Sequence, residues 1–178
     1  MELLIDKKFR RSRRIEDTEE IDAHILENWE QQWYELSPTR WSRRLILDLE
    51  SWLFRKHGEV DFFISQFISG HGCYGSYFHR FIIRDSPHCP FYGVGVVDTP
   101  EHTFFLCPRF VKERRELEVE LDSKFVVENA VEIMLHSKSK WKLVSMFVKK
   151  VLEEKRRIFN KSADAIPSGD SGVSTTTH

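Results

Sequence analysis

Large apolar residues recur along most of this chain at steps of three and four, the period of one face of an α-helix. Ile21, Ile25, Trp29, Trp33 and Leu36 form the first such stripe, on a long helix that Pro38 ends. The tripeptide "SPT" supplies a stop and a cap together, and "RWSRRLILDLESWLFRKHG" resumes the period with Trp41, Leu45, Leu49, Trp52 and Leu53 on or near one side. His57 and Gly58 mark the expected C-terminus of that second helix. A short helix in "VDFFISQFISG" should stop at Gly70, and another in "CYGSYFHRFII" should pack Tyr74, Tyr77, Phe78 and Phe81. The helical spacing of these rings, interleaved with small residues, favours core packing over base stacking.

The texture changes at "SPHCPFYGVGVVDTP", whose glycines, prolines and β-branched run suit a short hairpin or irregular knuckle. A helix capped by Asp98 or Thr99 should follow from about Pro100. The helical period returns in "RFVKERRELEVEL", in "VVENAVEIML" and in "SKWKLVSMFVKKVLEEKRRIF", the last burying Trp141, Val144, Phe147 or Val148, and Val151. Beyond Asn160 the chain has almost no large apolar residue, which predicts a disordered tail. The expected fold is mainly α, a bundle-like assembly of six or seven helices with one small knuckle inserted between them.

At 178 residues and 40% hydrophobic, the chain can bury one core of ordinary density. Its apolar stretches fall far short of the roughly 20 residues a membrane helix needs, so no membrane association is expected. "MELLIDKKFRRSRR" places its apolar residues before its charges, the reverse of a signal peptide, and secretion is not expected. The net charge of −1 averages over segregated blocks: Lys7 to Arg14 is basic, the "IEDTEEID" after it acidic, and "EEKRRIFNK" basic again. Such alternation suits either a solvated helix laced with ion pairs or phosphate contact by the basic ends.

Three cysteines in such a chain leave metal binding or plain burial as their roles. Cys89, Tyr92, His102 and Cys107 follow one another with gaps of two, nine and four residues, a zinc-knuckle layout with a phenol in one ligand position. A phenol is costly to ionise near neutral pH and rarely ligates structural zinc, so Cys89, His102 and Cys107 plus water would remain. The competing arrangement puts Tyr92 and Phe104 in the centre of the knuckle, with the two cysteines as small buried residues. His88 and Cys73 could fill the vacancy only if the chain folded back, and neither has standard spacing.

Four blocks in order, "QFISGHGCYGSYFHRF", "SPHCPFY", "DTPEHTFFLCPRF" and "VENAVEIMLHSKSKW", together resemble the region downstream of the reverse transcriptase domain in arthropod non-LTR retrotransposon polyproteins. The upstream "WYELSPTRWSRRLILDLESWLFRKHGEVDFFISQ" is similar to the segment preceding that motif, so the resemblance runs from about Trp29 to about Lys150. In that family the position of Tyr92 is normally cysteine, and this copy departs from the pattern where metal binding is decided.

The resemblance implies a helical segment over 1–37, a helical post-polymerase domain over 38–160 that includes the knuckle at 86–110, and a tail over 161–178. It implies an intracellular, nuclear protein that is the non-catalytic C-terminal part of an RNA-directed DNA polymerase with an endonuclease. The chain carries no Asp-Asp pair of the kind that holds a polymerase's metal ions, and no P-loop, Gly-x-Ser-x-Gly elbow, His-Glu-x-x-His helix or dinucleotide fingerprint. As a nucleic-acid-binding module it would hold RNA or DNA for the polymerase through the knuckle and Arg80, Arg84, Arg109, Lys112, Arg114 and Arg115. Glu113, Glu116, Glu118 and Glu120, interleaved with those cations, weigh against it. As a protein-interaction or scaffolding domain it would expose the apolar stripe of Trp29, Trp33 and Leu36. A remnant without function is the third alternative.

Overall fold

The computed structural model describes residues 19–92 and 95–164, with side chains for 25–92 and 95–160. The basic cluster at 7–14 and the residues from 165 onward lie outside the described part. The fold is mainly helical, and among the described residues there is no strand longer than an isolated bridge. No described helix is long and apolar enough to cross a membrane.

The first stripe falls on α1 (Glu19–Glu35), with Leu36 just past its end, and the later part of the stripe is covered by the chain itself. Trp33 is buried and its indole N–H donates to the Ile46 carbonyl at 3.1 Å, while Trp29 and Leu36 pack against the core. The helix expected from Trp41 to His57 is broken into α2 (Trp41–Leu45) and α3 (Leu49–Leu53). Asp48 causes the break: its carboxylate accepts the Ser51 N–H at 2.9 Å and hydroxyl at 2.5 Å, which starts a new helix there. The Ile46 carbonyl, released from a continuous helical ladder, is the one that receives the Trp33 indole.

Asp61 accepts the N–H groups of Phe63 and Ile64 and so begins α4 (Phe62–Ser69), which ends at Gly70 with a left-handed φ of 70°. α5 (Gly75–Arg80) starts after the fully buried Tyr74. Phe81 does not pack inward as its spacing predicts, because the helix closes at Arg80 and a tight turn carries Phe81, Ile82 and Ile83 into solvent.

After the knuckle come a π-helical turn (His102–Leu106), a 3₁₀ turn (Pro108–Phe110), α6 (Val111–Leu121), α7 (Ala130–His136) and α8 (Lys138–Asp164). α8 is the spine, with α4, α6, α7 and the π-helical turn packed along it. Its buried stripe is Trp141, Val144, Phe147, Val148, Val151 and Leu152, as the period predicts. It continues to Asp164, four residues past the expected end at Asn160.

Candidate metal centre

Cys89 lies on the first arm of a short hairpin. His88 bridges Val97 in antiparallel fashion, the Cys89 N–H donates to the Val96 carbonyl at 2.8 Å, and the Asp98 N–H donates to the Pro87 carbonyl at 2.8 Å. The Phe91 N–H then points back at the Cys89 sulfur, 3.5 Å away.

His102 and Cys107 come from the π-helical turn. In an α-helix, five residues make about 1.4 turns and leave two side chains on different faces. Here the Cys107 N–H donates to the His102 carbonyl at 2.6 Å, so the turn closes at the fifth residue and brings both side chains to one side. Thr99 rather than Asp98 caps the segment, its hydroxyl accepting the His102 N–H at 3.1 Å. Arg44 grips Glu101 through two bonds of 2.6 and 2.7 Å, and Arg114 donates to the carbonyls of Phe104 and Cys107 at 3.4 and 3.0 Å.

The result is a buried cluster in which a sulfur of Cys89, a sulfur of Cys107 and a ring nitrogen of His102 all lie within 4.8 Å of one another. The two sulfurs are 3.8 Å apart. Two thiolates bound to a tetrahedral zinc at about 2.3 Å are separated by about 3.8 Å. Among the described residues Nε2 of His102 is buried without a hydrogen-bond partner, which leaves it free to take a ligand. Burial lowers the His102 pKa, which keeps the imidazole neutral as a metal ligand must be. Burial also pushes the Cys107 thiol up to about 11, and the neighbouring Cys89 adds to the rise, so without a cation this sulfur keeps its proton.

Tyr92 does not fill the centre. Its side chain is 55% exposed, and its ring stands edge-on to that of His102 with centroids 5.5 Å apart. Phe104 is likewise elsewhere, fully buried against Phe67, Tyr74 and Phe147. The apolar-centre arrangement is therefore not the one adopted. Cys73 is half-buried outside the cluster, and His88 is exposed with its Nδ1 against the Ser86 hydroxyl at 3.1 Å. The residues present fit zinc as three protein ligands.

Beneath the cluster lies a second buried group that its sequence context conceals. Asp98 and Lys155 are 1% and 6% exposed and meet at 2.5 and 2.6 Å, with the Thr103 hydroxyl on both and the Gly75 N–H on the second Asp98 oxygen at 2.8 Å. Asp98 reads as a helix cap in "VDTP", and Lys155 reads as one more surface cation. The available signal is its register: Lys155 follows Val148, Val151 and Leu152 at helical steps, on the apolar face of α8.

The basic residues expected to meet nucleic acid separate into two sets. Arg109 pairs with Glu154 at 2.7 Å, Lys112 with Glu116 at 3.8 Å, and Arg114 is spent on the two carbonyls above, while Arg115 is exposed. Arg80 and Arg84 stand on the opposite side of the knuckle sequence, each over an aromatic ring. Comparison with protein-family models, with characterised proteins and with solved structures finds no match to this chain.

Proposed function

We propose that this chain is a non-catalytic, zinc-held helical module that binds RNA or DNA, a post-polymerase region of a non-LTR retrotransposon polyprotein. The observation that carries the reading is the convergence of Cys89, His102 and Cys107, with sulfurs at the spacing zinc imposes and a histidine nitrogen left without a partner. A bound zinc would supply structural cross-linking, tying the hairpin to the π-helical turn where hydrogen bonds alone are few. The four ordered sequence blocks support the retrotransposon assignment, and the arginines flanking the knuckle support a nucleic-acid partner.

Binding of fluorescent oligonucleotides to the zinc-loaded chain, measured across salt concentrations, tests the reading. The expected result is affinity that falls linearly on a log-log plot as salt rises, and that falls further when a chelator strips the metal. Retention of full affinity at high salt, or no binding at low salt, contradicts it.

A further inference from the structure

α5 ends in an unusual cap. The Ile82 N–H donates to the His79 carbonyl at 3.0 Å and the Ile83 N–H to the Phe78 carbonyl at 2.9 Å, the paired bonds of a Schellman motif. That motif needs a left-handed residue, normally glycine, and here Ile82 occupies it with φ of 59°. A β-branched side chain in this region is strained, and strain of this kind persists where surrounding structure imposes it and function uses it. Ile82 is 93% exposed, so the strain gains no burial in return. What it achieves is display: Phe81, Ile82 and Ile83 all project into solvent between Arg80 and Arg84.

Cations flank this turn on both sides, with the exposed Asp85 following Arg84 in sequence. The Arg84 guanidinium lies 4.4 Å over the Phe159 ring, Arg80 lies 5.8 Å over Phe81, and Arg156 lies 5.7 Å over Phe62. Phe159 meets Phe78 of α5 edge-on at 5.0 Å and sits three residues after Arg156 on α8, which gathers these groups at one end of the molecule. Among the described residues no carboxylate pairs with Arg80, Arg84 or Arg156. A guanidinium stacked on a ring keeps its N–H edge available to phosphate oxygens. Past the hairpin several cations are answered by carboxylates, Lys112 by Glu116, Arg109 by Glu154 and Lys150 by Glu113, and Arg115 is exposed.

We infer that this turn and its three arginines are the binding surface for a single-stranded nucleic acid, with phosphates on Arg80, Arg84 and Arg156 and unpaired bases against Phe81, Ile82 and Ile83. The inference rests on the proposed nucleic-acid role and specifies where and in what form the ligand is held. Exposed aromatic and apolar groups between cations suit bases that are free to stack, whereas a duplex hides its base faces.

The test uses the zinc-loaded full chain, a short fluorescent oligonucleotide as RNA and as DNA, the matching duplex, and vesicles of phosphatidylcholine with phosphatidylserine. The R80Q/R84Q/R156Q variant should bind either single strand at least tenfold more weakly, with a log-log salt slope smaller by about 2. Ile82→Asn, which tolerates the left-handed backbone, should raise the thermal midpoint yet weaken binding. K138Q/K142Q, at two exposed lysines near the start of α8, should bind like the wild type. If the wild type binds the oligonucleotide but the triple variant keeps its affinity and slope, or the duplex is preferred, the surface is wrong while the general role stands. If the wild type binds no oligonucleotide, or binds only vesicles through Ile82, both readings fall together.

Discussion

The Lys155 ammonium sits against both carboxylate oxygens of Asp98, at 2.5 and 2.6 Å, with both side chains buried. Asp98 closes the hairpin that carries Cys89, and Lys155 belongs to the central helix, so this pair fixes the knuckle to the bundle. Removing one partner of such a pair leaves a buried charge without compensation. Lys155→Met should lower the unfolding free energy by about 3–5 kcal/mol, read by urea denaturation. The D98N/K155M double variant should recover part of that loss, and a double variant no better than the sum of the singles would disprove the coupling.

Gly75 lets the hairpin come this close. A Cβ built there would stand 2.8 Å from the Pro87 carbonyl oxygen and 3.1 Å from Cβ of Asp98, and the first contact is with backbone that has little room to yield. Gly75→Ala should therefore destabilise the chain by about 1–3 kcal/mol, the usual cost of overpacking. An unchanged midpoint would mean that the hairpin is held less tightly than these distances indicate.

Tyr92 stands at the rim of the metal cluster, beside His102 but outside the centre. Tyr92→Cys should complete a fourth protein ligand and tighten zinc by at least an order of magnitude in competition with a chromogenic chelator. Tyr92→Phe should leave zinc affinity unchanged, since the hydroxyl is not counted among the ligands. A large loss in Tyr92→Phe would show that the phenol itself coordinates.

Acid should weaken the site from two directions. The Cys107 thiol, pushed up to about 11 by burial, must release its proton when metal binds, so zinc affinity falls as pH falls. His102 has a pKa below its ordinary 6.5, lowered by burial. A folded state that resists protonation loses stability as pH drops below the unfolded value, so the metal-free chain should be fully stable in this respect above about 6.5 and weaken beneath it. Thermal midpoints of chelated protein between neutral pH and pH 5, compared with His102→Gln, read the effect: the substitution should flatten the profile.

Much of the architecture is legible in the residues because amphipathic period and caps dictate it. The stripe of α8 and the stop at Gly70 follow from spacing and backbone freedom alone. The split between α2 and α3 was concealed because Asp48 sits in an uninterrupted apolar period, and only its side-chain bonds to Ser51 overrule it. The three candidate ligands are readable from their spacing, but their convergence depends on a π-helical turn that no local propensity announces. Phe81 misleads for a related reason: it has the period of a packed ring, yet the left-handed Ile82 ends the helix first. Asp98 and Lys155 are each ordinary in their own segment and become a pair only when residues 57 positions apart meet.

The central claim is that Cys89, His102 and Cys107 hold a metal in this chain as it stands, without a fourth cysteine. Zinc content of the purified protein, measured by mass spectrometry beside the Cys107→Ser variant, tests it directly. One zinc per chain is expected in the wild type, and loss of that zinc with a lower thermal midpoint in the variant. A wild type that carries no zinc even after loading, with a midpoint indifferent to chelator, would contradict it.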